Sequence, residues 1–479
     1  MNYSIIKYIF GWVMLFESAF MLMPVTVAVY YGERQGLAFL ACSFIFTFLG
    51  WLCMHKKPDD SLFYAREGFV AVAGSWIILS LIGALPFYIT KEIPSYTDAL
   101  FEIISGFTTT GASILTEVEG LSHCILFWRS FSHWIGGMGV LVFILAILPL
   151  AGGHSLHIMK AESPGPTVGK LVPKLQKTAF YLYSIYFAMT IIEILLLLAG
   201  KMPIFDSVCT AFGTAGTGGF GIKNDSIAGY SSYLQGVITV FMFLFGVNFN
   251  FYFLLLLKKF KDAFNMEEVK WYFIIYIGAV VLITINLTSS ASQLFENLHH
   301  AAFQVSSIMT TTGFATTNFD NWPTFSKTIL VALMFIGACA GSTGGGMKVS
   351  RIVLWIKTML KEVSCQTHPH NIKIVKMDDK PVNHTTVRTA NNFLIAYAII
   401  FIVSTLIISL DNFSFTTNFS AVAATFNNIG PGLELVGPTG NFSMFSGLSK
   451  YVLMFDMLAG RLEVFPMLVL FAPATWKLR

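Results

Sequence analysis

Charge is scarce in this chain. Only 12% of its 479 residues are Asp, Glu, Lys or Arg, against 55% hydrophobic, which is too apolar for a water-soluble protein of this size. The net charge of +4 is small and says little about nucleic acid; its distribution says more. The six cysteines, Cys42, Cys53, Cys124, Cys209, Cys339 and Cys365, lack CxxC spacing. They imply neither a disulfide framework nor a metal site and read as small packing residues. No GxxxxGK[ST] run is present to cradle a nucleotide phosphate; GSTGGGMK at 341–348 has the wrong spacing. His154/His157, His299/His300 and His368/His370 have no carboxylate or cysteine pattern around them, so loop histidines outrank metal ligands. Without a His/Asp/Glu cluster at one face, an integral-membrane enzyme has no machinery, and none is expected.

Long apolar runs fill the space that charge leaves. Continuous stretches of about twenty residues are what spanning helices require; barrel strands would alternate over about ten. The pattern predicts an all-α integral membrane protein with about ten spans, at 5–30, 36–54, 67–90, 125–150, 178–200, 231–257, 271–288, 326–347, 389–410 and 448–473. The first run is too long for a signal-peptide core and lacks a small-residue cleavage site, so it is expected to be retained.

Four short segments repeat one pattern, a polar glycine-centred turn after a short apolar piece. They are SGFTTTGAS (105–113), FGTAGTGGF (212–220), IMTTTGFATTNF (308–319) and FNNIGPGLE (426–434), centred on Gly111, Gly218, Gly313 and Gly430. A shorter apolar piece precedes the first loop at 96–107, and the same arrangement recurs at 203–213, 291–310 and 413–427. Each unit therefore reads helix, half-helix, loop, helix. Two leading helices (1–60) and four pore units (61–160, 161–262, 263–365 and 366–479) account for the chain, with a pseudo-fourfold ring of loops about a central pore. Rings of backbone carbonyls replace a cation's hydration shell. Glycine lets successive carbonyls turn to one side, threonine adds a hydroxyl acceptor, and half-helix C-termini favour a cation. The fourth loop lacks threonine and carries Pro431, which gives that quadrant a different chemistry.

Most of the 30 Lys and Arg fall on one face, chiefly in 151–177, 258–270 and 348–388, which places both termini and these loops in the cytoplasm and the glycine loops outside. Asp98, Glu102, Glu117, Glu119, Asp206, Asp225, Glu296, Asp320, Asp411 and Glu434 fall near the outer loops. They either raise the local cation concentration or simply solvate loops.

Two features interrupt the apolar pattern. GACAGSTGGG (337–346) cannot hold a regular helix interior, so the eighth span is expected to be broken, unless the glycines form a tight packing patch. Arg461 stands inside the last span, an expensive position that is usually functional. Pairing with Glu463 or Asp456 for structural reasons is the alternative to a functional role.

These loops, together with SHWIGGMGV (132–140), GACAGSTGGGMKVSR (337–351), ATFNNIGPGLELVGPTGNF (424–442) and MLAGRLEVFP (457–466), resemble the Trk/Ktr/HKT superfamily of potassium transporters over essentially the whole chain. The two extra N-terminal helices are most similar to the bacterial Trk-type membrane subunit. The resemblance implies potassium-binding filter residues at Thr109, Thr110 and Gly111; Gly216, Thr217 and Gly218; Thr311, Thr312 and Gly313; and Asn428, Ile429 and Gly430. Glycine at all four central positions favours potassium over sodium. The resemblance further implies a gate at Gly341, Ser342, Thr343, Gly344, Gly345 and Gly346, with Arg461 beside it either meeting freed carbonyls or setting an electrostatic barrier. It implies K+ as the permeant ion, no cofactor on this chain, a homodimer, and a cytosolic TrkA-like subunit that binds NAD and ATP. The expected location is the bacterial inner membrane. Passive and proton-coupled flux both stay open.

Overall fold

The computed structural model describes residues 1–56, 65–139, 175–288, 290–368 and 373–477. Among them, six helices are long and apolar enough to cross a membrane: Tyr3–Tyr31, Gly36–Met54, Arg66–Ile89, Ala179–Ala199, Glu267–Leu287 and His384–Asp411. The first two form the leading pair. Each of the other four opens one pore unit, so the fold is that of an all-α, multi-pass membrane protein. A two-residue hairpin, Lys376–Met377 paired antiparallel with Lys380–Pro381, is the one described sheet and has no counterpart in the expected architecture.

Half-helices follow at Tyr96–Phe107, Ile204–Gly216, Leu294–Met309 and Phe415–Phe426. At 12 to 16 residues they reach about 18–24 Å at 1.5 Å per residue, short of a bilayer core. Hydroxyl caps start two of them: Ser95 accepts from the Asp98 amide at 3.4 Å and Ser414 from Thr417 at 3.1 Å, satisfying otherwise orphaned amides.

The second helix of every unit departs from the expected continuous span. The expected 231–257 is two helices, Ser232–Phe245 and Phe249–Leu256, bent by 90° at 246–248. The expected 326–347 stops at Ile336, and a non-helical loop runs to Val349. The expected 448–473 stops at Arg461, with Glu463 and Val464 at φ +58° and +67°. In the first unit the helix His123–Met138 ends at Gly139; the remainder of 125–150 lies outside the described residues. Polar residues explain two of the breaks. Asn248 caps the helix that follows it by accepting from Asn250 at 2.9 Å, and Arg461 terminates its helix by turning to carbonyls elsewhere. Of the basic stretches, 151–174 also lies outside the described residues, as do Lys57, His154, His157 and His370.

The six cysteines are free. His299 bonds Gln235 Oε1 at 2.8 Å and His300 bonds Thr316 Oγ1 at 3.0 Å, so both are engaged by polar neighbours between helices.

Candidate functional site

Each half-helix ends in the same cap. The amides of Thr110, Gly218, Thr312 and Ile429 donate back to Ser105, Gly213, Ser307 and Ala424, all at 2.8 Å. The amides one residue earlier donate to Gly106, Thr214, Ile308 and Thr425 at 3.0–3.2 Å. This pair of bonds is a Schellman cap, whose pivotal residue adopts the left-handed conformation and is ordinarily glycine. Here that residue is Thr109 (φ +55°), Thr217 (+53°), Thr311 (+59°) and Asn428 (+55°). A non-glycine left-handed residue costs about 1–2 kcal/mol, and repeated strain of this kind marks functional positions. Two residues later φ is positive again, now at Gly111, Gly219, Gly313 and Gly430.

That geometry corrects the register of the second quadrant. Thr217, Gly218 and Gly219 are the counterparts of Thr109, Thr110 and Gly111. The expected set Gly216, Thr217 and Gly218 is one residue early, because Gly216 still belongs to the half-helix. The sets 109–111, 311–313 and 428–430 occupy the equivalent positions after their own half-helices.

The loops close a ring in chain order. A methyl group on Gly111 would strike the carbonyl oxygen of Gly218, and one on Gly219 that of Thr312. One on Gly313 would strike Ile429 and one on Gly430 would strike Thr110, which returns to the first loop. Glycine at these four places is therefore demanded twice, by backbone conformation and by the neighbour's carbonyl. A cavity of about 210 Å³ lies over the ring, with all four of these glycines in its wall.

No Asp or Glu lines that cavity among the described residues, whereas Arg129 and Lys223 do. The expected carboxylate rim is thus corrected. Glu102 is fully buried and receives Arg129 Nε and Nη2 at 2.8 and 2.7 Å. It also accepts from Ser113 Oγ and the Ile114 amide at 3.0 Å. Arg129 continues to the Gly221 carbonyl at 3.3 Å and stacks over Phe220 at 4.2 Å, tying the first loop to the second. Asp98 pairs with Lys450 at 2.6 Å. Hydrogen bonds from Ser414 and Thr417 hold the Glu434 carboxyl below its usual range. Arg129→Met would leave Glu102 buried and unpaired. Such a loss costs about 3–5 kcal/mol, so a marked fall in the unfolding temperature in detergent is expected.

His133 is another residue that sequence reasoning passed over, although it stands in SHWIGGMGV. Nδ1–H donates to the Gly106 carbonyl at 2.8 Å, and Nε2 accepts from the Phe220 amide at 3.3 Å. The buried ring therefore braces the first half-helix against the strand of chain leaving the second loop.

Below the ring lies the intramembrane loop, 337–348. The Gly345 amide donates to Thr311 Oγ1 at 2.6 Å. Gly344 abuts the Thr310 carbonyl, and Gly345 abuts that of Asn427. The expected break in the eighth span is present, and it touches the third and fourth quadrants directly. Side chains hold the loop by both kinds of backbone group. Arg461 donates to the Thr343 carbonyl at 2.8 Å and to those of Gly136 and Gly137 at 2.5 and 2.6 Å. Lys348 Nζ donates to the Gly344 carbonyl. Glu268, nearly buried, accepts from the amides of Ala340 and Ser350 at 2.6 and 3.1 Å. Of Arg461's two expected acidic partners, Glu463 pairs with Arg351 and Asp456 accepts from Ser404 Oγ at 2.7 Å. Freed carbonyls take the arginine instead, as the first of the two alternatives has it. Glu268 was hidden because it sits just before the expected start of its span.

Comparison with known proteins agrees with this architecture. The family model described as TrkH, cation transport protein, matches residues 35–478. The chain is 37% identical to the Trk system potassium uptake protein TrkH of Salmonella typhimurium and to that of Escherichia coli K12, covering 100% of both chains in each case. It is 30% identical to the Escherichia coli K12 potassium uptake protein TrkG, over 99% of this chain and 98% of that one. The crystal structure of the potassium transporter TrkH from Vibrio parahaemolyticus superposes with a TM-score of 0.88 at 32% identity, covering 100% of both chains. These relatives are named as transport proteins and not as enzymes. On this evidence the chain belongs to the TrkH family of cation transport proteins.

Proposed function

We propose that this chain carries potassium into the cell through the ring of four loops. The observation that carries the reading is the fourfold recurrence of one strained cap, with left-handed Thr, Thr, Thr and Asn each followed two residues on by glycine. Alternating the sign of φ turns successive carbonyls toward one axis, and several neutral oxygens dehydrate a monovalent cation without trapping it. The filter comprises Thr109, Thr110 and Gly111; Thr217, Gly218 and Gly219; Thr311, Thr312 and Gly313; and Asn428, Ile429 and Gly430. The names of the relatives supply potassium as the ion.

The gate is the loop containing Gly341–Gly346, latched by Arg461. It lies against two quadrants, so ions leaving the ring meet it first. Opening requires the latch to yield, and the energy comes from a cytosolic TrkA-like nucleotide-binding subunit docked on the basic inner face. The membrane subunit works as a homodimer in the bacterial inner membrane, with both termini cytoplasmic.

Flux into proteoliposomes holding the purified chain, with the TrkA-like subunit and sodium as competitor, tests this. Potassium-selective uptake is expected. Equal passage of both ions would overturn the filter assignment.

A further inference from the structure

We propose that the junction between the inner ends of the third and fourth units binds the headgroup of an anionic phospholipid. A cavity of about 720 Å³ opens between the helix Val349–Thr367, the hairpin and the start of the helix His384–Ile408. Lys361, Lys373, His384 and Arg388 line it, together with Asn391 and Asn392. Glu362 is the single carboxylate among the described residues of the wall, and it lies 3.6 Å from Lys361. Lys373 and Arg388 make no ion pair among the described residues. Three cations around one cavity suit a phosphate.

The helix beside it identifies which phosphate. Ile356, Met359, Leu360 and Val363 recur at i, i+3, i+4 and i+7, and all are 49–57% exposed. The opposite face, with Thr358, Lys361, Glu362 and Cys365, lines the cavity, and on the flank Lys357 pairs with Glu267 and donates to the Lys376 carbonyl at 2.8 Å. An amphipathic helix with an outward apolar stripe beside basic residues lies in the headgroup layer. The helix His384–Ile408 then enters the apolar layer from the same place, with Leu394 and Ile395 exposed. Val375, Val382 and Val387 in the cavity wall suit glycerol and acyl carbons. Among the described residues the wall contains no Phe, Tyr or Trp for a nucleotide base to stack on. Basic pockets on the cytoplasmic side between spanning helices take anionic headgroups.

The test uses the full chain in detergent and reads the unfolding temperature against dioctanoyl phosphatidylglycerol, dioctanoyl phosphatidylcholine and inorganic phosphate. A saturable upward shift with phosphatidylglycerol alone is expected. K361Q/K373Q/R388Q should weaken it about a hundredfold while leaving the lipid-free unfolding temperature unchanged, because these side chains are not in the core. Three results would overturn the proposal. They are an equal response to inorganic phosphate, an unaltered phosphatidylglycerol response in the triple variant, and loss of subunit association in that variant with lipid affinity intact. The last would make this face a contact between copies.

Discussion

Gly313→Ser is expected to lower the ratio of potassium to sodium flux through the proposed filter. Gly313 has φ +90°, and its missing Cβ would meet the carbonyl oxygen of Ile429 and the ring of Pro431. A side chain there carries about 1–2 kcal/mol of backbone strain before the steric conflict is counted. The relief available is to push the Ile429 carbonyl outward, which changes how one quadrant of the ring meets an ion. Selectivity is a difference between two dehydration balances, so a change of only about 1.4 kcal/mol shifts it tenfold. We therefore expect the potassium-to-sodium flux ratio to fall by at least about tenfold. Gly313→Ala should do nearly as much, because the harmful atom is the Cβ that both variants share. A Cβ on Gly236 meets nothing within 4 Å, and Gly236→Ala should leave the ratio unchanged. Retention of full selectivity by Gly313→Ala would refute the steric account.

The second large effect is expected at Arg461. Its guanidinium bonds three carbonyls, one on the intramembrane loop and two on the end of the first unit's second helix. Hydrogen bonds from a charged group contribute about 1.5–3 kcal/mol each. Losing one bond's worth from the closed arrangement alone moves a two-state population more than tenfold. Arg461→Ala should accordingly raise potassium flux measured without the cytosolic partner by about tenfold or more, and should blunt the partner's further effect. Lysine has a single ammonium and cannot serve both sides of the latch as a planar fork does, so Arg461→Lys should fall between. If flux and its regulation were both unchanged in Arg461→Ala, the latch would have no role.

Much of this architecture is legible in the residues. Half-helices too short to span, followed by polar glycine turns, are visible because hydropathy and turn chemistry change together at four places. The triple glycine of the broken eighth span is visible because no helix interior tolerates it. Other features run against local rules. In FGTAGTGGF the second quadrant offers four glycines, and the left-handed pivot falls on Thr217 where propensity favours a glycine. The register therefore depends on the neighbours' carbonyls, which no local window contains. The bend at 246–248 is masked by phenylalanines on both sides of Asn248. Glu102 looks like an outer acid until Arg129, 27 residues away, arrives from the next helix. Glu268 looks like a flanking charge until the loop it holds folds back across 72 residues.

A ring assembled from one polypeptide also sets the dose at which a substitution acts. In a pore made of four identical chains, one altered codon changes all four walls together. Here it changes one, and three unaltered quadrants remain to hold the geometry. Asn428, Ile429 and Pro431 stand where the other loops carry different residues, and yet the Ile429 amide bond has the same 2.8 Å length as its three counterparts. Such a pore can be retuned a quarter at a time, and its sides are free to specialise, one toward the ion and another toward the gate.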